Sequence, residues 1–414
     1  AVVTTPFRVL GPFEPAEHRR LRRRMMFDAF KWDPQVGDTC TIGRFALAIR
    51  DETWNELARS AEALAAESLA AEKELRRPEW HGELGLPRAI RRVLRDGKEE
   101  FPSAAARVIR FDFHHTVDGW RISEANTDVP GGFNEAEGLA EHVARPHPDL
   151  EPCGLPAVDL ARALAAAADP SAGVVALVHA TAYTDDLQVM LHLERRLRER
   201  GFTALPAAPD HLRHAPGRLE LLHEGRVHPL CAAVRFFPAD WLPNLSGREQ
   251  WDFWFRGSPT PLCNPGAALL TQAKRFPLLW DRMDTPLPAW RRLLPETRDP
   301  RDAPVASDEW VVKPNLGRVG EGVGLAGATP AKALAALRRE AGRHPRAWVA
   351  QRRFDNLPVA VEGVPWTVCL GVYTVNGRAA GVYGRASPSP LVAATACDVA
   401  ILKSVSPGGP SNER

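Results

Sequence analysis

The sequence predicts a mixed α/β fold, because strand patterns of two kinds occur along the chain. Residues Val108 to Thr116 and Trp120 to Asn126 alternate polar and apolar side chains around Asp118-Gly119, which is typical of an antiparallel β-hairpin. The apolar run Val174 to Ala180 precedes an amphipathic helix and a second strand-like run, which is typical of a parallel β-α-β unit. We therefore expect antiparallel sheets together with an α/β domain.

The remaining elements follow from periodicity and turn residues. Residues Asp51 to Arg77 carry apolar side chains at helical spacing, which predicts a long packing helix. Further strands are expected at Leu219 to Leu222 and Cys231 to Phe237. The proline-rich stretches Pro259 to Pro265 and Pro286 to Pro304 indicate loops or boundaries.

The predicted hairpin aligns oxygen ligands on one face. If residues 117 to 119 form a three-residue loop closed by a left-handed glycine, Asp112 lies opposite Glu124 and Arg110 lies opposite Asn126. Two like charges directly opposite on a sheet cost up to roughly 1 kcal/mol, and a shared cation reverses that sign. The pairing therefore indicates a metal site.

The ligand chemistry narrows the choice of metal. Two carboxylates, Asp112 and Glu124, and the amide oxygen of Asn126 are hard ligands that suit Mg²⁺ or Mn²⁺, which keep several waters and bridge to phosphates. The alternative is an exposed hairpin in which Arg110 forms a salt bridge with one of the acids.

A second constellation lies about two hundred residues later. The short strand Glu309 to Lys313 is followed by a glycine-rich stretch, and a lysine and an arginine beside glycines suit polyphosphate. Its candidate phosphate-binding residues are Lys313, Gly317, Arg318, Gly320 and Gly322. A flexible surface hairpin is the alternative. Together with a metal site, such a stretch predicts a nucleotide triphosphate site.

Late strands complete the predicted cleft. Trp348 to Gln351, Pro365 to Tyr373 and Ala380 to Tyr383 are strand-like, and Asn376-Gly377 predicts a hairpin turn. The resulting antiparallel sheet is expected to sandwich a nucleotide against the glycine-rich flap, defined here as residues 317–324.

Composition excludes several classes of function. The 53 basic residues nearly balance the 51 acidic ones, so no overall charge favours nucleic acid or an anionic membrane, and the basic run at residues 18–24 is expected to be a solvated helix face. Six scattered cysteines without a paired spacing suit reduced thiols in the cytoplasm. No apolar stretch approaches membrane-spanning length, and no export signal is expected.

These residues resemble the glutathionylspermidine synthetase family, whose fold is a circularly permuted ATP-grasp. The resemblance spans residues 110 to 385 and depends on short motifs: Arg110-x-Asp112, Glu124-x-Asn126, Asn264-Pro265, Lys274, Val-Val-Lys313-Pro with its flap, Trp348-Val-Ala-Gln351 and Gly384-Arg385. It implies a synthetase module without the amidase domain of bifunctional members. The flap departs from the family pattern at Val319, where an acid is expected.

The resemblance also implies roles for individual residues. Asp112, Glu124 and Asn126 would hold Mg²⁺, with two ions expected and Mn²⁺ as an alternative. Lys274 and Lys313 would contact ATP, as would the flap residues Gly317, Arg318, Gly320 and Gly322. Gln351 would lie at the adenine end, and Arg110 and Arg385 would act on the reacting carboxylate and phosphates.

The implied activity is that of an ATP-dependent carboxylate–amine ligase, which forms an amide through an acyl phosphate and releases ADP and phosphate. The expected partners are a small-molecule or peptide carboxylate and an amine, with no nucleic acid and no membrane. Two alternatives stay open: an ATP-grasp phosphotransferase, and a catalytically silent ATP-binding scaffold.

The resemblance divides the chain into four expected regions. They are an N-terminal region 1–150 with the metal-ligand hairpin 107–126, an α/β pre-ATP-grasp-like substrate domain 151–265, an ATP-binding lid and flap region 266–404, and a disordered tail 405–414.

Overall fold

The computed structural model describes residues 5–96, 106–247, 251–318 and 320–405. Val319 and all but the first residue of the predicted tail therefore lie outside the described residues. The described helices are α1 Pro15–Asp28, α2 Asp51–Leu75, α3 Pro78–His81, α4 Arg88–Asp96, α5 Phe133–Ala144, α6 Pro156–Ala167, α7 Thr184–Arg198, α8 Phe253–Arg256, α9 Leu269–Gln272, α10 Pro288–Leu293 and α11 Ala331–Arg343.

The strands fall in two groups along the chain. The earlier ones are β1 Phe7–Leu10, β2 Gln35–Val36, β3 Thr39–Cys40, β4 Ala46–Ile49, β5 Val108–Thr116, β6 Gly119–Asn126, β7 Leu150–Pro152, β8 Val174–Val178, β9 Ala204–Ala207, β10 Leu212–Ala215, β11 Arg218–His223 and β12 Arg226–Arg235. The later ones are β13 Leu262–Cys263, β14 Thr297–Arg298, β15 Trp310–Pro314, β16 Trp348–Arg352, β17 Val359–Val361, β18 Val364–Val375, β19 Arg378–Ser387, β20 Cys397–Val399 and β21 Ile401–Ser404.

An antiparallel sheet in the order β20-β19-β18-β5-β6 forms the centre of the molecule and joins early strands to late ones. One face is apolar, and Ile109, Phe111 and Phe113 on it are fully buried, as the alternation predicted. The long helix α2 packs against this sheet through its buried stripe, which includes Leu57 and Leu64. Helices α5 and α6 also pack on the sheet, and polar residues of its strands line a cavity.

A mixed sheet in the order β10-β11-β12-β8-β9 contains the predicted β-α-β unit, in which β8, α7 and β9 follow one another and the two strands are parallel. A smaller sheet in the order β14-β16-β15 carries the strand that ends in Lys313. The fourth sheet, β1-β4-β21-β7, joins the first described strand to the last. The predicted mixed α/β class is confirmed, whereas the four regional boundaries remain a prediction.

The hairpin of β5 and β6 has the predicted register at the candidate ligands but a different turn. Asp112 pairs with Glu124 and Arg110 with Asn126, as expected. The turn is one residue shorter than predicted, because Thr116 pairs with Gly119. A bulge at Ser123 restores the register, so the two departures cancel.

Candidate active site

A cavity of about 840 Å³ opens on the polar face of the central sheet. Most of the site residues predicted from the sequence lie around this cavity. Those lining it are Arg110, Asp112, Glu124, Asn126, Lys313, Gly317, Arg318, Gly320, Gln351 and Arg385. Lys274 lies behind the wall and reaches it through its ammonium group, and Gly322 stands apart from the lining, beside Pro314.

Arg110 and Asp112 form a two-pronged ion pair on β5. The Arg110 Nε and Nη2 groups donate to the two Asp112 carboxylate oxygens at 2.7 and 3.1 Å. Gly371 on β18 lies next to this pair, and a Cβ there would lie 2.6 Å from Arg110 Cδ. Tyr383, which pairs with Gly371, places its ring 5.5 Å from the guanidinium. The ion pair therefore fits against β18 because Gly371 has no side chain.

Two lysines face Glu124. Lys274 Nζ lies 3.2 Å from Glu124 Oε2 and donates to the Gly317 carbonyl at 2.7 Å. Lys313 Nζ donates to the Ser123 carbonyl at 3.0 Å and to the side chain of Gln351 at 2.6 Å. Positive charge is thus concentrated where the sheet meets the flap.

Burial and charge act in opposite directions on these groups. Burial disfavours the Glu124 carboxylate, but the cations of Lys274 and Lys313 outweigh it and hold the pKa of Glu124 below its usual value. Burial lowers the pKa of Lys313 to about 8, although Glu124 opposes that shift. Glu124 is therefore ionised at neutral pH, where it can bind a cation.

Arg385 occupies the opposite side of the same wall. Its Nη2 group donates to the Ala393 carbonyl, and its Nε atom has no hydrogen-bond partner among the described residues. Across the sheet it pairs with Asp398, whose carboxylate accepts a hydrogen bond from the Tyr383 hydroxyl at 2.6 Å. Arg385 lines the cavity, and its buried Nε donor has no partner among the described residues.

Arg318 in the flap is paired with an acidic residue of another segment. Its guanidinium forms an ion pair with Asp240 and lies 5.5 Å from the Trp241 ring centroid. A direct contact between Arg318 and a phosphate would therefore require this ion pair to open.

The donor chemistry of the hairpin fits a hard divalent cation. No group of three or more His, Cys, Asp or Glu side chains is placed to hold a metal within the described parts of the chain. The candidate set is instead two carboxylates and an amide, and the amide of Asn126 already contacts Asp112 Oδ2 at 3.2 Å. Such a set suits a magnesium ion whose other ligands are water and phosphate.

Acidic side chains collect at another part of the cavity wall, near the start of α7. Asp185 and Asp186 line it together with Tyr183 and Trp241, whose ring centroids lie 6.2 Å apart. Burial raises the pKa of Asp186 to about 6, with a smaller contribution from the neighbouring charge of Asp185. This part of the wall suits a positively charged ligand.

Comparison with known proteins assigns the family. A family profile described as glutathionylspermidine synthase preATP-grasp matches residues 17–400. The chain belongs to this family. The resemblance inferred from the short motifs is confirmed, and membership of the synthase family supports ATP-dependent ligase chemistry on small-molecule substrates.

Solved structures resemble the fold of this synthase family member. A glutathione synthetase-like effector, GSS30, from Globodera pallida in its apo form has a TM-score of 0.62 at 11% identity, and the match covers 94% of this chain and 99% of that chain. A protein from Methylobacillus flagellatus KT assigned as a gamma-glutamylcysteine synthetase has a TM-score of 0.41 at 16% identity, with coverages of 78% and 82%. No curated protein matches the chain. Membership of the family and the fold shared with GSS30 together confirm the expected ATP-grasp class.

Sequence reasoning missed a buried ionic cluster on the cavity wall of this synthase family member. Lys31 lies between Glu135 and Asp398, which are distant from it in the chain. The sequence does carry one indication of this cluster: only seven of the 53 basic residues are lysine. Two of those seven, Lys31 and Lys313, line the cavity, and a third, Lys274, contacts Glu124 on its wall.

One expected absence concerns membranes. Within residues 5–96, 106–247, 251–318 and 320–405, every helix is too short or too polar to cross a lipid bilayer.

Proposed function

We propose that the chain is an ATP-dependent carboxylate–amine ligase that forms an amide through an acyl phosphate. The observation that carries the proposal is the alternation of charge on one cavity wall. There Asp112 and Glu124 stand opposite each other, with Arg110, Lys274 and Lys313 around them. A metal–triphosphate complex needs carboxylates for its metal and fixed cations for its phosphates.

The chemistry explains why ATP is required. A carboxylate is a poor acceptor for an amine, because attack would have to expel oxide. Attack of a carboxylate oxygen on the γ-phosphorus breaks the bond to ADP and forms an acyl phosphate. The ammonium first loses a proton to solvent. The free amine nitrogen then attacks the acyl carbon, the bond to phosphate breaks, and a second proton from nitrogen leaves with the phosphate. The products are an amide, ADP and phosphate.

The hairpin would hold the magnesium. Asp112, Glu124 and Asn126 supply its protein ligands, with two ions expected, and the metal offsets the charge of the phosphates when bound. Lys274 and Lys313 would contact the triphosphate, since both ammonium groups lie beside Glu124. Gln351, which binds Lys313, would then lie next to the nucleotide toward its adenine end.

Two arginines would bind the developing charge of the reaction. Arg110 is fixed by Asp112 and by the Gly131 carbonyl, which accepts from Nη1 at 2.9 Å. Arg385 retains its unused Nε donor. Fixed donors of this kind stabilise a transferring phosphoryl group and an oxyanion without reorganisation.

The remaining proposed roles belong to the flap and to the acidic part of the cavity wall. Gly317 and Gly320 would cover the phosphates and exclude water, which otherwise hydrolyses an acyl phosphate. Arg318 would join them once its ion pair with Asp240 opens, and Gly322 would support the flap from behind the lining. Asp185 and Asp186 would attract the protonated amine.

The test is ADP release with Mg²⁺ and ATP against a matrix of carboxylates and amines, with mass spectrometry of the products. We expect ADP release that depends on both substrates and yields one amide per ADP. A phosphorylated carboxylate or amine without amide would instead show a phosphotransferase. ATP binding without ADP release across the matrix would show a scaffold protein.

A further inference from the structure

Lys31 fills a buried position on the cavity wall. Its ammonium lies 2.6 Å from Glu135 Oε1 and 3.2 Å from Asp398 Oδ2, and its side chain is only 16% exposed. Glu135 lies on α5 and Asp398 on β20, so the lysine bridges two separate elements. All three residues line the cavity.

The segment that carries Lys31 is hydrogen-bonded to the acidic part of the cavity wall, which contains Asp185 and Asp186. The backbone N–H of Trp32 donates to the Gln188 side chain at 2.9 Å. The amide of Gln188 in turn donates to Asp185 Oδ1 at 3.0 Å. Lys31 and the candidate ammonium site at Asp185 and Asp186 therefore belong to one continuous hydrogen-bonded wall.

Lys31 offsets part of the negative charge of Glu135 and Asp398. Burial disfavours the Lys31 ammonium, but Glu135 and Asp398 outweigh it and raise the pKa of the lysine. The pKa of Glu135 is lowered, because the Lys31 cation outweighs the effect of burial. Lys31 is therefore a permanent cation and cannot act as a nucleophile. Without it, two buried carboxylates would share one site with no cation between them.

Hydrogen-bond acceptors remain unused beside the lysine. Among the described residues, Asn134 Oδ1 and Glu135 Oε2 have no hydrogen-bond partner, although these residues are only 1% and 7% exposed. Both residues line the cavity. Buried acceptors without a partner are costly, so a ligand N–H or O–H group is expected to complete them.

We infer that Lys31 determines the amine substrate: it takes the place of a second ammonium, so the amine carries one ammonium group and a neutral hydroxyl or amide donor at its far end. This inference rests on the ligase function proposed above and specifies its amine substrate. The single ammonium would bind at Asp185 and Asp186, and the neutral donor would meet Asn134 and Glu135.

The experiment compares matched pairs of amines by isothermal titration calorimetry with Mg²⁺ and ADP present. Each pair consists of an α,ω-diamine and the amino alcohol of the same length, with chains of three to six carbons. We expect the wild-type chain to bind the best amino alcohol about tenfold more tightly than the diamine of the same length. Lys31→Met should reverse the preference, because it leaves Glu135 and Asp398 free to bind a second ammonium.

Two further variants act as controls. Lys31→Arg keeps the cation and should keep the preference for the amino alcohol. Lys31→Met combined with Glu135→Gln removes one of the two freed carboxylates and should lose the gain in diamine binding. If Lys31→Met fails to fold, the wild-type preference decides the question by itself.

Several results would overturn the inference. They are a wild-type preference for the diamine, equal affinity or no binding of either amine, and a folded Lys31→Met variant with unchanged preference. Amine-dependent ADP release is measured separately. Release only with diamines contradicts the role of Lys31 and upholds the ligase, whereas no release with any acid and amine contradicts the ligase.

Discussion

Replacing Gly371 by alanine should disable the site without unfolding the protein. An alanine Cβ would lie 2.6 Å from Arg110 Cδ, 2.8 Å from its Nε and 3.1 Å from Asp112 Oδ1. Carbon atoms at optimal contact lie about 3.5 Å apart, so Arg110 has to move by about 1 Å. Gly371 lies in β18 and its φ is not left-handed, so alanine causes no backbone strain there.

The expected loss in kcat is about 100-fold. A misplacement of about 1 Å in a positioned group costs about 100-fold, and loss of one charge-stabilising donor costs about 100- to 1000-fold. Stability should change little, because alanine is favoured over glycine in a strand by roughly 0.5–1 kcal/mol, which offsets part of the crowding. The assay is Mg²⁺-dependent ADP release with the most active pair of acid and amine, together with a thermal melt.

Gly342 provides the matched control. It lies in α11, and a Cβ there would meet nothing within 4 Å. Gly342→Ala should therefore keep full activity and gain up to about 1 kcal/mol of stability. A second control adds Gly371→Ala to Arg110→Ala, and it should lower kcat no further because both changes act on one guanidinium. A folded Gly371→Ala variant with wild-type kcat would refute the reasoning.

Three other predictions concern the ligands, the amine site and the core. Asp112→Ala and Glu124→Ala should each abolish metal-dependent ADP formation while the chain stays folded, and a variant with wild-type turnover would remove the metal assignment. The KM for the amine should rise as the pH falls through about 6, because the Asp186 carboxylate is protonated below that pKa, and Asp186→Asn should abolish this pH dependence. Because this pKa is raised on folding, ionised Asp186 destabilises the native state at neutral pH, so Asp186→Asn should raise Tm there and change it little below about pH 4. Asn264→Ala should lower the free energy of unfolding by about 2–4 kcal/mol in urea melts, because the buried amide binds both backbone groups of Val108 and the carbonyl of Asp128, and a loss below 0.5 kcal/mol would contradict this.

The sequence was sufficient to predict the hairpin because local chemistry determines it. Alternation of polar and apolar residues specified which face is buried, and Asp118-Gly119 located the turn. The bulge at Ser123 was not predictable in the same way. Its carbonyl accepts from Lys313 and its hydroxyl contacts His114 at 3.0 Å, and the lysine comes from a strand nearly two hundred residues later.

The ionic cluster around Lys31 could not be predicted from sequence patterns either, for a related reason. No periodicity links Lys31 to Glu135, which lies 104 residues away in the chain, or to Asp398 on β20. Arg318 was predicted as a site residue from the sequence, but its ion pair with Asp240 was not. Positions of charged groups that depend on tertiary pairing therefore needed the structure. The Asp112–Glu124 pairing was predicted from the sequence, but it holds because the bulge at Ser123 compensates for the shorter turn.

The ligase proposal is tested most directly by following oxygen from the carboxylate. With a substrate labelled with ¹⁸O in its carboxyl group, formation of an acyl phosphate transfers one labelled oxygen to each phosphate released with the amide. We predict one ¹⁸O atom per phosphate, measured by mass spectrometry. Phosphate without label, formed together with ADP, would show that ATP is hydrolysed by water and would contradict the account.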